Sequence, residues 1–325
     1  MAFAALSFTS CDDDDDTILG IDFDDDGTLF ISSNTSGMVG VLNLEAGGDP
    51  TIETFTAAGT DGEGIYYDSD DGDVYQVDRT NSVLVEYDDV RDDLDDPDGV
   101  DVDQRSTSNF TNGRGLGYLS RNFVIAEQGD SDGNGNQLVQ YNTLDDDMIE
   151  YVQTFDVDFP LWGIQFIERD LYAVVDGTDS VAIFDTFLGK SNDTTLMADR
   201  FFKVDGITRT HGLYYSAPDD VMILTDIGDA NSDTDGALVV IDNFSDFSSV
   251  DTITSADYRR IAGSATNLGN PVDVSYDADE DRIYVAERAN GGGTLLVFDR
   301  TNEGDVAPMR SLPFPGISAL WLHRD

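Results

Sequence analysis

Apolar residues along this chain come in short runs separated by clusters of Asp, Gly, Asn and Ser, and no run keeps the period of an amphipathic helix. Segments of one design recur. GIDFDDDGTLFISS begins at Gly20, GIYYDSDDGDVYQVDR at Gly64, GLGYLSRNFVIAEQ at Gly115, GIQFIERDLYAVVD at Gly163, GLYYSAPDDVMILTD at Gly212 and DVSYDADEDRIYVAER at Asp273. Each joins a short apolar strand to a second through an Asp/Gly turn, as a hairpin does. A third strand follows each pair: MVGVLNL from Met38, SVLVEYD from Ser82, QLVQYN from Gln137, SVAIFD from Ser180, ALVVIDN from Ala237 and TLLVFD from Thr294. Looser fourth strands such as TIETFTA from Thr51 and YVQTFDV from Tyr151 close most units, and the repeat spacing runs from 44 to about 60 residues.

Four short strands per unit and six units predict an all-β chain: a six-bladed β-propeller of four-stranded antiparallel blades spanning 17–325. A further copy of the first strand, PGISALWL at Pro315–Leu322, leaves a seven-bladed ring as the alternative. The repeat, carried best by Arg259–Arg288 and by GDVAPMRSL at Gly304–Leu312, resembles the NHL and YncE-like propellers of bacterial extracytoplasmic proteins, within the wider SMP-30/lactonase-like group. The resemblance implies architecture, not chemistry. Asp61-Gly62-Glu63-Gly64 is similar to the first metal-ligand segment of SMP-30/gluconolactonase propellers, but that family's later Asn and Asp motifs have no counterpart here.

Residues 1–16 stand apart. MAFAALSFTSC ends in Cys11, the only cysteine, so no internal disulfide can form. The segment resembles a bacterial lipoprotein signal with Cys11 as the lipidated residue, although no Lys or Arg precedes the apolar run. Asp12–Asp16 would then serve as an extended tether. The expected location is the cell envelope, lipid-anchored at the outer surface or in the periplasm, or outside the cell.

The charge narrows the partners. The chain carries 56 Asp and 10 Glu against 15 Arg and two Lys, a net charge of −49. Such a field repels nucleic acid and anionic lipid, so membrane contact is expected only through the lipid. With 40% hydrophobic and 10% aromatic residues the chain still has a core to bury. An acidic, Lys-poor coat around a core suits a protein working in high salt.

Because the unit repeats, positions that do not repeat stand out. The residue before the first-strand glycine is Leu19, Glu63, Arg114, Trp162 and His211, with Val272 nearest to it in the sixth unit and Pro315 in the C-terminal copy. In a propeller this position lies beside the central channel, so Glu63, Arg114, Trp162 and His211 converge on one mouth. An Arg fork and a Trp face suit a polar or anionic ligand, and Glu63 with His211 could move a proton. The competing reading pairs Glu63 with Arg114 as a plug.

Calcium is the cofactor expected, in a structural role. Asp130, Asp132 and Asn134, followed by Gly135, match the opening of an EF-hand loop but carry Tyr141 at the twelfth position; Asn231, Asp233 and Asp235 end with Asp242 there. Two histidines and one cysteine build no Cys/His zinc site, and no G-x-S-x-G elbow occurs. The function expected is a monomeric binding propeller for a protein, glycan or small polar molecule. The alternative is a lactonase- or lyase-like enzyme using Glu63, Arg114 and His211.

At −49 the folded ring concentrates charge that the unfolded chain spreads out. Raising salt from about 0.01 M to about 1 M shortens the screening length from roughly 30 Å to roughly 3 Å. Thermal melting in KCl should therefore move steeply upward over this range. A flat profile would mean that the acidic composition is not an adaptation to salt.

Overall fold

The computed structural model describes residues 27–44, 50–129, 135–145, 148–192 and 194–324. The repeated hairpins fold as the apolar runs require: the strands alternate around turns that place Gly72, Gly177 and Asp281 in the left-handed region. Blade one holds β1 (Thr28–Ser33), β2 (Met38–Asn43) and β3 (Glu53–Thr56). Blade two holds β4 (Gly62–Asp68), β5 (Asp73–Asp78), β6 (Val83–Tyr87) and β7 (Val102–Arg105), with a one-turn helix α1 (Val90–Asp93) between the last two. Blade three holds β8 (Gly113–Leu119), β9 (Asn122–Glu127), β10 (Asn136–Asp145) and β11 (Met148–Val157).

Blade four holds β12 (Leu161–Ile167), β13 (Asp170–Val175), β14 (Ser180–Phe184) and β15 (Arg200–Val204). Blade five holds β16 (Thr210–Ser216), β17 (Val221–Asp226), β18 (Ala237–Asp242) and, last, β20 (Arg259–Ala262). The short β19 (Thr252–Ile253), in the loop before β20, adds to the outer edge of blade four as a parallel fifth strand. Blade six holds β21 (Pro271–Asp277), β22 (Arg282–Glu287), β23 (Thr294–Asp299) and β24 (Arg310–Pro313).

The last strand, β25 (Ile317–His323), pairs antiparallel with β1 and becomes the innermost strand of blade one. This settles the blade number at six. The C-terminal copy is no seventh blade; it supplies the first strand of blade one, and the Gly20 segment lies outside the described residues. Joining the two ends of the described chain in one sheet also removes the exposed edges an open ring would have. Among the described residues no helix is long and apolar enough to cross a membrane.

The core lies between blades. Phe30 of blade one stacks on Tyr67 of blade two at 4.4 Å, and Tyr66 of blade two stacks on Tyr118 of blade three at 4.0 Å. On four of the six inner strands there is no room for a side chain at the axial position. A Cβ on Gly64 would stand 2.6 Å from the Leu116 nitrogen, on Gly115 2.6 Å from the Trp162 carbonyl, and on Gly163 2.4 Å from the His211 carbonyl. The recurring glycine therefore lets each inner strand approach the backbone of the next blade.

Gly163→Ala should lower stability by about 1–3 kcal/mol, the cost of overpacking a site that cannot give. Gly135→Ala, where a Cβ meets nothing within 4 Å, should stay within about 0.5 kcal/mol of the parent. Urea unfolding of the two variants checks this; equal midpoints would deny the axial glycines their packing role.

Candidate functional site

In every blade the innermost strand is bulged at the same point. The register shifts between Gly62 and Ile65, Gly113 and Leu116, Leu161 and Ile164, Thr210 and Leu213, and Pro271 and Asp273; in blade one the shift falls at Ser33, opposite Ile317–Ala319. A bulge adds one residue and re-aims a side chain. The bulged residues are Glu63, Arg114, Trp162, His211 and Val272, as the repeat predicts. Register places Ser318 at this position in blade one, correcting the expected Pro315: Gly316 is a turn glycine with φ 70°, and the residue matching the axial glycines is Ala319.

The four polar or aromatic residues are brought together in one chain of contacts. Glu63 is 2% exposed, and its Oε1 accepts from Arg114 at 2.8 Å and from Arg79 at 2.9 Å. The Arg114 guanidinium lies 4.2 Å above the Trp162 ring, a cation–π distance. Trp162 stacks on His211 at 3.7 Å with the planes 9° apart. His211 Nε2 lies 3.1 Å from Asp176 Oδ1, and Arg209 clamps the same carboxylate with two bonds of 2.6 and 2.9 Å. Gln128 closes the circuit, donating to Asp176 at 2.6 Å and accepting from Arg114 Nε at 3.2 Å.

Protonation follows from these partners. Burial is the largest influence on His211 and outweighs Asp176, so the imidazole pKa falls to about 4. Facing a carboxylate, Nε2 is assigned the proton; Nδ1 is then an acceptor, and it is buried without a partner. Burial pushes Asp176 up, but bonds from His211 and Arg209 win and hold it below the usual carboxylate range. The pairing of Glu63 with Arg114, weighed against a catalytic role from the sequence, is present. An open acid/base pair of Glu63 and His211 is not, because each is engaged by a different partner.

Sequence reasoning missed Asp176, Gln128, Arg79 and Arg209. A signal existed: the second strand of the repeats ends in Asp78, Glu127, Asp176, Asp226 or Glu287. At three of these positions the carboxylate caps the loop entering the inner strand. Glu127 accepts from the Thr111 and Asn112 nitrogens, Asp226 from Thr208 and Arg209, and Glu287 from Gly269 and Asn270. In blade four the same carboxylate turns to His211 and Arg209 instead. Arg79, Gln128 and Arg288 each follow one of these acids; with the Asn34 amide oriented toward it, Arg288 donates to that side chain at 2.5 Å.

Below the ring the axis opens into a cavity of about 130 Å³ walled largely by apolar residues such as Ile65, Leu116, Ile164 and Val274. Asp273, in the place of an axial glycine, is enclosed there. Burial raises its pKa to about 7, and the Leu320 nitrogen donates to it at 2.8 Å.

Of the metal loops, Asp130, Asp132 and Asn134 lie outside the described residues, as does Cys11. Asn231 and Asp235 belong to a turn in which the Asn231 nitrogen donates to Asp229 and the Asp229 nitrogen to Asp235. Asp242 ends β18, a strand away, and is held by Arg259 at 2.9 Å and Arg300 at 3.6 Å. The EF-hand spacing does not gather Asn231, Asp233, Asp235 and Asp242 around one point, because the intervening residues are an extended strand rather than a coiled loop.

Fold and site define a six-bladed propeller with a plugged, arginine-lined mouth. No protein-family model matches the chain, and no curated protein matches its sequence. Solved structures do. A chain of a nidogen–laminin complex aligns with a TM-score of 0.60 at 13% identity, covering 91% of this chain and 98% of that one. The periplasmic gluconolactonase of Pseudomonas aeruginosa aligns at 0.61 with 11% identity, covering 91% and 98%. A putative 6-phosphogluconolactonase of Bacteroides fragilis aligns at 0.61 with 10% identity, covering 93% and 99%. At these identities the likeness is one of fold.

The depressed His211 pKa sets a pH dependence. The folded state resists protonation that the unfolded chain accepts at about 6.5, so its contribution is complete above 6.5 and is lost as pH falls toward 4. The stability advantage of the parent over His211→Gln should shrink across that window. NMR of the imidazole should show it neutral at pH 6; a charged His211 at pH 6 would refute the buried, uncharged role.

Proposed function

We propose that this chain is a binding propeller of the cell envelope, tethered through Cys11, that recognises an anionic group on a glycan, peptide or protein at its channel mouth. The observation that carries the reading is the placing of scarce cations. In a chain with 17 basic residues, Arg79, Arg114, Arg209 and Arg288 gather about one mouth. Arg114 feels both Arg79 and Arg288 as like charges. Like charges drawn together against general repulsion favour a carboxylate or similar anion, which guanidinium groups hold bidentately. The platform beneath is tied together, since Arg79 and Arg114 hold Glu63, Trp162 is stacked between Arg114 and His211, and His211 Nε2 and Arg209 hold Asp176. A binding module needs that rigidity; an acid/base catalyst needs a group left free to exchange protons.

One observation favours the second reading, a lactonase-like enzyme. His211 Nδ1 is an unpartnered acceptor, and two of the solved structures sharing the fold are described as lactonases.

Calorimetric titration with uronic-acid and neutral oligosaccharides, each with a lactone turnover assay, separates the readings. The binding reading expects the acidic glycan to bind at least about tenfold more tightly than the neutral one, a difference of about 1.4 kcal/mol. It expects the preference to fall in Arg79→Ala and Arg288→Ala, with no lactone turnover. Turnover that His211→Gln abolishes would replace this reading with the enzymatic one, and equal binding of both glycans would refute the anion preference.

A further inference from the structure

We propose that the axial cavity beneath the mouth binds a small organic ammonium ion, its charged head on the Asp273 carboxylate and its short alkyl chain against the apolar wall. The position of this acid is singular. Blades two to five carry glycine at the axial position and blade one carries Ala319, whereas blade six sets Asp273 there. The bulge between Pro271 and Asp273 turns this side chain toward the next blade, where its Oδ2 accepts from the Leu320 nitrogen at 2.8 Å. Its Oδ1 lies 3.2 Å from the place that a Cβ on Gly212 would take. The carboxyl group thus spans the wall from blade five to blade one.

Asp273 keeps part of its surface open and belongs to the lining of the cavity. Its donors are backbone amides, those of Leu320 and Val274, and the charged side chain that bears on it is Glu63, of like sign. A carboxylate offers about four lone-pair sites, so two donors leave it room to accept more. Three charged residues line the cavity. Glu63 and Arg114 hold each other at 2.8 Å, and among the described contacts Asp273 is left without a counter-charge. The neighbouring oxygens are engaged elsewhere: Gln165 exchanges both amide atoms with the Tyr215 backbone at 2.7 and 3.2 Å, and Ser318 donates to the Gly62 carbonyl at 2.7 Å.

One unpaired anion in an apolar cavity narrows the class of ligand. A calcium ion takes about six to eight oxygen ligands, more than this lining leaves open. An alkylammonium asks less: three N–H donors at one end and apolar surface along the rest, which the wall and the rings of Tyr214 and Trp321 accept. Size sets the limit. The cavity holds about 130 Å³, and an apolar cavity of about 150 Å³ takes one benzene, so about five or six non-hydrogen atoms fit. Sign agrees with size, because a chain of net charge −49 draws cations to its clefts and turns anions away. Gln165, Tyr214, Trp321 and Leu322, the lining residues toward the far face, are partly exposed and put the entrance on that side. The site lies beneath the contacts that close the mouth and does not depend on the function proposed for it.

The test is calorimetric titration of the whole chain with n-butylammonium chloride at pH 8, with ionic strength fixed by KCl. At that pH Asp273, raised to about 7, is ionised, and an amine with the ordinary ammonium pKa of about 10.4 is charged. The parent should bind one equivalent, at least about tenfold more tightly than it binds 1-butanol. It should bind neither butyrate, of the wrong sign, nor tetrabutylammonium, which has the charge but exceeds the cavity. Asp273→Asn should abolish the preference for the amine over the alcohol, and Asp235→Asn, in a surface turn, should leave it intact. Because it removes an unpaired buried charge, Asp273→Asn should melt no lower than the parent at pH 8, so its loss of binding is not a folding defect. Carboxyl ¹³C NMR reads the site directly: the Asp273 resonance, assigned by its absence from the Asn variant, should move with the same half-saturation. No saturable step with butylammonium, an equal response to 1-butanol or tetrabutylammonium, a preference that survives in Asp273→Asn, or an Asp273 resonance that stays in place would each overturn the proposal.

Discussion

The structure depends on how closely six backbones can approach one axis. Gly64, Gly115, Gly163 and Gly212 are held where a Cβ would meet the next inner strand at 2.4–2.7 Å. Such contact leaves no space for a regular strand carrying a side chain at that point. The chain answers with a one-residue bulge in each blade, and the bulge sends the preceding side chain to the mouth. The glycine and the variable residue before it are thus two results of one steric constraint. The first closes the ring; the second furnishes it.

The same crowding decides where charge is buried. Loops entering the inner strands carry backbone N–H groups that the sheets do not use, and an unpaired buried amide costs free energy comparable to a lost hydrogen bond. Carboxylates at the ends of the second strands accept these amides, as Glu127, Asp226 and Glu287 do. Part of the acidity of the chain is therefore internal structure rather than surface coat. Two interior groups pull stability in opposite directions with pH. Asp273 is raised to about 7, so its anion is unfavourable in the fold and stability falls as pH rises from about 4 toward 7. His211 adds stability over nearly the same interval, so the two partly offset each other near neutrality.

Much of this was legible in the sequence because repetition averages out local ambiguity. Hairpin turns, third strands and the axial glycine recur often enough that blade architecture follows from spacing, and the convergence of Glu63, Arg114, Trp162 and His211 follows from their shared place in the repeat. What the repeat could not fix was register near the chain ends. Gly316 mimics an axial glycine in sequence yet occupies a left-handed turn, which moved the expected equivalent from Ser318 to Pro315. The partners of the site residues were equally hidden. Asp176 lies 35 residues from His211, and only the ring brings the end of β13 beside the start of β16. Asp242 shows the reverse: a spacing that matches a metal loop is spent along an extended strand and finishes at Arg259.

Buried carboxylates are balanced differently at the mouth and at the far rim of blade two. Four of the fifteen arginines gather at the mouth, and the buried acids among them, Glu63 and Asp176, are each held by more than one donor. On the far side of blade two, Asp73 and Glu86 are sheltered as thoroughly but have no guanidinium hydrogen-bonded to them among the described contacts. A carboxylate removed from water needs a counter-charge. The mouth supplies its own from the chain and so stands preformed and rigid. The far rim has no such cation: the Tyr75 hydroxyl and the Asp89 amide donate to it instead, and burial raises both carboxyl groups above the usual carboxylate range, so its charge varies with pH where that of the mouth does not.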